Sequence, residues 1–96
     1  MNLGATIKNL RKQQRQTQGE FATVCGISQT YLSQIENNQK EPNLSILKTI
    51  GEKLNVPLPI IFFLSLTDDD IQPAKREDFA IISPSLKLLI NELFTI

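Results

Sequence analysis

Residues 28–37 read SQTYLSQIEN. Gln29, Thr30, Ser33 and Gln34 in this stretch are uncharged side chains that both donate and accept hydrogen bonds. In a helix, at about 100° per residue, all four fall within an arc of roughly 140°. Leu32 and Ile35 then take the other side, flanked by Tyr31 and Glu36. Solvated helix faces are usually built from Lys and Glu, so a face of only Gln, Thr and Ser stands out. Its simplest reading is a plain wet surface. Its chemical reading is recognition of base edges. Gln bonds bidentately to N6 and N7 of adenine in the major groove, and Thr touches the thymine methyl.

Other chemistries find little support. The 96-residue chain has no histidine, which removes Ser-His and Cys-His catalysis and most zinc sites. The one cysteine, Cys25, has no second thiol and reads as a small apolar group at a helix end. Asp68, Asp69 and Asp70 read as a solvated acidic linker. No glycine-rich phosphate loop is present. An enzyme is therefore not expected, nor is a cofactor, a metal or a small-molecule ligand. Net charge is zero, but residues 1–60 carry seven basic and four acidic side chains, whereas residues 61–96 carry three and six. The two parts are thus suited to different partners. No apolar run approaches a membrane helix, and the opening MNLGATIKNLRKQ has no signal-peptide core. The expectation is a cytoplasmic protein with no membrane partner.

The elements that must hold the polar face follow from local signals. Leu3, Ile7 and Leu10 predict a first helix over 2–14. Thr17 with Glu20 forms a capping box that starts a short second helix with Phe21, Ala22 and Val24 on its apolar side. Gly26 suits a left-handed stop, and Ile27 packs inward to fix the turn. Ser28 caps the third helix, which ends near Glu36, with Asn37 and Asn38 making the exit. A fourth helix starts at Asn43 or Ser45 and carries Leu44, Leu47, Ile50 and Leu54. Pro59 suits the first turn of a short fifth helix, IIFFL, apolar nearly all round and expected to be buried. Residues 67–78 read as a boundary. Phe79–Ile82 reads as a short strand or an extended arm, and Ser83-Pro84 as the cap and first turn of a last helix. That helix bears Leu86, Leu89, Ile90, Leu93 and Phe94.

Two helices joined by a tight glycine turn make a helix-turn-helix, with the second helix presented to the groove. The capped start of the second helix, at Gln18, points backbone N–H groups outward, where the helix dipole favours a phosphate.

Here the sequence resembles the phage repressor and Cro-like helix-turn-helix family, the XRE-type regulators. The resemblance is carried by IKNLR at 7–11, TQGEFA at 17–22, GISQTYLSQIEN at 26–37, Pro42 and the L-x-x-I-x-x-x-L pattern at 47–54. It covers about residues 3–64. It implies an all-α fold, a five-helix, lambda-repressor-like bundle at 1–66; outside the resemblance, residues 67–96 read as a linker and C-terminal dimerisation segment, a possible short strand plus helix. It further implies base contacts from Gln29, Thr30, Gln34 and Ser33, with Tyr31 either reading or packing. Phosphate contacts are implied for Gln18, Ser28, Asn37 and Lys40, and a structural ion pair for Arg11 with Glu36. The sequence departs from the family at Asn38, where Gly is usual, and at Glu41, which puts a negative charge near the expected phosphate path.

The expected activity is sequence-specific binding of double-stranded DNA by a homodimeric transcriptional regulator, a repressor acting on an inverted-repeat operator. The alternative is a protein-interaction module or antitoxin-like adaptor on the same scaffold. Phe79, Ile81, Leu86, Leu89, Ile90, Leu93 and Phe94 either join two copies or fold back onto their own bundle.

Overall fold

The computed structural model describes residues 1–94; the last two residues of the C-terminal segment lie outside it. Six α-helices follow one another, and no strand occurs among the described residues. Helix α1 spans Leu3–Gln13 and is capped by Asn2, whose side chain accepts from the Ala5 N–H at 3.1 Å. Helix α2 spans Gln18–Cys25. Both arms of its capping box form at 3.1 Å, Glu20 N–H to Thr17 Oγ1 and Thr17 N–H to Glu20 Oε1. Gly26 ends it at φ +72°, a left-handed conformation that glycine takes without a Cβ penalty.

Helix α3 spans Gln29–Glu36, and the Ser28 hydroxyl accepts from the Tyr31 N–H at 3.0 Å. The exit is made by Asn38, at φ +57°, while Asn37 stays at φ −93°. Asn43 caps helix α4, Leu44–Leu54, accepting from Ile46 N–H at 2.9 Å, which decides between the two expected starts. Helix α5 spans Leu58–Leu64 with Pro59 in its first turn. Only Ile61 of α5 is fully buried; Ile60, Phe62, Phe63 and Leu64 are half-covered, so the helix is less enclosed than its composition suggests.

Every buried apolar side chain among the described residues lies between Ile7 and Ile61. Phe21, Leu32, Ile35, Ile50 and Ile61 meet at the centre, with Ile7 and Leu10 from α1. This core is complete without the C-terminal segment.

Two expectations need correction beyond this core. Phe79–Ile82 is neither strand nor arm, and Ser83-Pro84 does not begin a helix. Both lie inside one long helix α6, Arg76–Phe94. A 3₁₀ turn at Pro73–Lys75 runs straight into Arg76 and so starts the helix early. A lone strand would have no ladder partner, whereas the helix satisfies its own backbone. Pro84 leaves the Ala80 carbonyl without its usual donor, and the helix continues across it. The preceding linker is organised rather than loose. Asp68–Asp70 forms another 3₁₀ turn, and Arg76 Nε donates to the carbonyls of Asp68 and Ile71 at 2.8 and 3.1 Å.

One side of α6 faces its own bundle. Lys87 and Asn91 share a cleft with Thr6, Asn9 and Gln13 of α1, and Phe94 borders the α4–α5 turn at Asn55–Leu58. Ser83 is buried, and Phe79 and Ile90 are half-covered. The other side is open: Ile81, Ile82, Leu86, Leu88, Leu89 and Leu93 are all exposed, Leu93 to 76%. The two sides of this helix therefore differ in cover.

Candidate nucleic-acid interface

Helix α3 is divided as its sequence requires. Leu32, Ile35 and Glu36 are buried, while Gln29 and Thr30 are exposed and Ser33 and Gln34 half-exposed. The four polar side chains line one shallow groove together with Gln18 from α2 and Gln39 from the loop after α3. Neither glutamine of α3 is tucked inside, and α6 borders α1 and the α4–α5 turn instead of this groove. Tyr31 is half-buried and packs against the core.

A buried ion pair fixes how α3 is presented. Arg11 Nε donates to Glu36 Oε2 at 2.8 Å and Arg11 Nη2 to Glu36 Oε1 at 3.0 Å. The remaining arm, Nη1, donates to the Gln16 carbonyl at 2.8 Å. Gln18 Nε2 adds a third donor to the carboxylate, 3.1 Å from Oε1. Glu36 thus ties the end of α3 to α1 and to the start of α2. Such a two-pronged arrangement fixes geometry as well as charge.

The expected phosphate residues divide by what already occupies them. The Gln18 side chain has given one N–H to Glu36, so the free groups at this helix start include the backbone N–H of Gln18 and Gly19, which the cap leaves without acceptors. Ser28 is exposed; its oxygen accepts from Tyr31 and its proton is free to donate. Asn37 is exposed and donates to Ser33 Oγ at 3.4 Å, and Lys40 is exposed beside Glu41. The hydrogen bonds from Thr17 hold the Glu20 carboxyl below its ordinary range. Burial pushes the Cys25 thiol up, so it stays protonated.

Asn38 accounts for its own departure from the family pattern. It adopts the left-handed conformation expected of glycine, and its side chain accepts from Gly4 N–H at 3.0 Å and donates to Asn2 Oδ1 at 2.8 Å. The exit of α3 is thereby fastened to the start of α1. Sequence reasoning did not single out Gln39 or the close approach at Gly4. Gln39 sits just past the helix, where its backbone N–H bonds to the Gln34 carbonyl at 2.8 Å. Gly4 packs so tightly that a Cβ would lie 2.5 Å from the Ile35 carbonyl oxygen and 2.6 Å from that of Glu36.

Comparison with known proteins agrees with this geometry. The helix-turn-helix family HTH_3 matches residues 7–61. The chain is 41% identical over 59 residues to the ImmF control region 10 kDa protein of Bacillus phage phi105, covering 62% of this chain and 66% of that protein. It is 33% identical over 61 residues to the immunity repressor protein of the same phage, covering 64% of this chain and 42% of the repressor. The chain therefore spans just under two thirds of the first and under half of the second. A longer match, 30% over 83 residues, is to the transcriptional regulator ClgR of Mycobacterium tuberculosis and covers 86% of this chain and 70% of that regulator. With its fold, its capped helix pair and a family match over more than half its length, this chain belongs to the phage repressor and Cro-like helix-turn-helix family.

Proposed function

We propose that this protein is a DNA-binding transcriptional regulator, not an enzyme, and that it acts as a repressor on an inverted-repeat operator as a homodimer. The observation that carries the reading is the groove of Gln29, Thr30, Ser33 and Gln34, held outward by the buried Arg11–Glu36 pair and its bond from Gln18. Gln29, Thr30, Gln34 and Ser33 read base edges. The α2 start at Gln18, with Ser28, Asn37 and Lys40, holds the phosphates. The relatives named as an immunity repressor and a transcriptional regulator favour the same reading.

Magnitudes favour a dimer. A good bidentate pair discriminates by about 1–3 kcal/mol, and one helix offers few such pairs. With net charge zero and few phosphate contacts, a single copy binds weakly, as nonspecific binding is typically about 10⁻⁴–10⁻⁶ M. Joining two copies makes the second docking intramolecular. Their half-sites then lie roughly one helical turn apart, about 34 Å.

The open side of α6 suits this role. Ile82, Leu86, Leu89 and Leu93 recur at spacings of four, three and four residues, the seam of a two-helix pairing. Ile81 and Leu88 widen the apolar surface, and such a surface on a small protein marks an interaction site.

Selection of bound sequences from random DNA by the purified protein tests the proposal. The expected product is an inverted repeat whose affinity falls steeply with salt. Failure to enrich any sequence, together with copurification of a stoichiometric heterologous partner, would favour an adaptor instead.

A further inference from the structure

Gly19 is the second residue of α2, and its backbone gives no reason for a glycine. Gly26 is the glycine with positive φ, whereas Gly19 sits in ordinary helix. Glycine inside a helix costs about 0.5–1 kcal/mol relative to alanine. What surrounds the position explains the choice. A Cβ there would stand 3.3 Å from Gln29 Oε1 and 3.8 Å from Gln29 Cδ, and it would meet nothing else within 4 Å. The first distance is closer than ordinary van der Waals contact, so the amide would have to give way by a few tenths of an ångström.

Gln29 has no other anchor. Among the described residues its amide makes no hydrogen bond, in contrast to Gln18, which is tied to Glu36. The space beside Gly19 that a Cβ would take lies against this amide. A displacement of a few tenths of an ångström approaches the placement of about 0.5 Å that recognition constellations need, while costing the fold little.

We propose that Gly19 is a positioning residue for base recognition. Its missing side chain leaves beside the Gln29 amide the room that a methyl group would take, and so bears on how that amide presents its oxygen and nitrogen to a base. The proposal rests on the DNA-reading assignment above. It makes position 19, on the helix that reads no bases itself, a determinant of sequence preference through Gln29.

The test compares wild type, Gly19→Ala, Gln29→Ala and the double variant in the same selection from random DNA, with thermal unfolding followed by circular dichroism. Gly19→Ala is expected to melt no lower than wild type. Its discrimination should fall about three- to tenfold at the one base pair per half-site that Gln29→Ala also relaxes, part of what a full bidentate contact supplies. In the Gln29→Ala background it should change base preference no further. In the free protein, the side-chain amide resonances of Gln29 should shift on Gly19→Ala.

An unchanged preference profile for Gly19→Ala would overturn the proposal. So would a loss uniform across all sequences, which would mean the glycine serves close approach of a phosphate, or a change of preference that persists without Gln29. If wild type itself enriches no sequence, the DNA-reading assignment falls and takes this proposal with it. That result differs from wild type enriching a site that Gly19→Ala reads identically.

Discussion

Arg11 on α1 and Glu36 at the end of α3 are joined by two hydrogen bonds of 2.8 and 3.0 Å, with side chains only 7% and 1% exposed. They lie 25 residues apart in sequence, and through Gln18 the same carboxylate reaches α2. The angle at which the polar face of α3 leaves the bundle depends on this cluster. Removing one partner of a buried pair leaves the other charge uncompensated, at a cost of about 3–5 kcal/mol. Glu36→Ala and Arg11→Ala should each lower stability by about that amount in urea unfolding, and the double variant by less than the sum. Additive losses would show that the two residues do not act as a pair.

Gly4→Ala provides a test with an informative sign. Helix propensity alone favours alanine by about 1 kcal/mol. The contacts say the reverse, because the added carbon would meet two backbone oxygens of α3 that cannot swing aside. Overpacking of this kind costs about 1–3 kcal/mol, and each kcal/mol lowers the melting temperature of a domain this size by roughly 4–8 °C. A melting temperature that rises on Gly4→Ala would contradict the packing described.

The role of Asn38 separates into backbone and side chain. Asn38→Gly restores the residue usual in the family and keeps the left-handed turn, but it removes the bonds to Gly4 and Asn2. The expected loss is about 1–3 kcal/mol, the net worth of two ordinary hydrogen bonds. Asn38→Ala loses the same bonds and adds strain at φ +57°, so it should be the less stable of the two by thermal unfolding.

The open face of α6 yields a prediction about assembly. The Leu89→Glu, Leu93→Glu double variant should sediment as a monomer, and its affinity for an inverted repeat should fall about 100-fold or more. Unfolding of the bundle should change by no more than about 0.5 kcal/mol, because both positions are on the surface and the buried apolar core ends at Ile61. A dimer that persists would move the interface elsewhere.

How much of this was readable in advance depended on whether the signal was local. The split of α3 follows from the angular order of eight side chains, and the caps at Thr17 and Ser28 from residues three apart, so both were legible. The pairing of Arg11 with Glu36 came from the family resemblance, since nothing local joins positions so distant in sequence. Phe79–Ile82 misled because a short apolar run has no period of its own, and Ser83-Pro84 imitates a helix start. What decides there is the turn at Pro73–Lys75 leading into Arg76. The demands on Gly4 and Gly19 could not be read at all, because they arise from distances between helices.

The most direct test of the central claim is the Gln29→Ala, Gln34→Ala double variant, titrated against the sequence selected by wild type and against variants of that sequence. Base preference at the positions these residues read is expected to collapse, with about 1–3 kcal/mol of discrimination lost per contact, while salt-sensitive binding to unrelated DNA is retained. Base preference and operator affinity equal to wild type would contradict the claim.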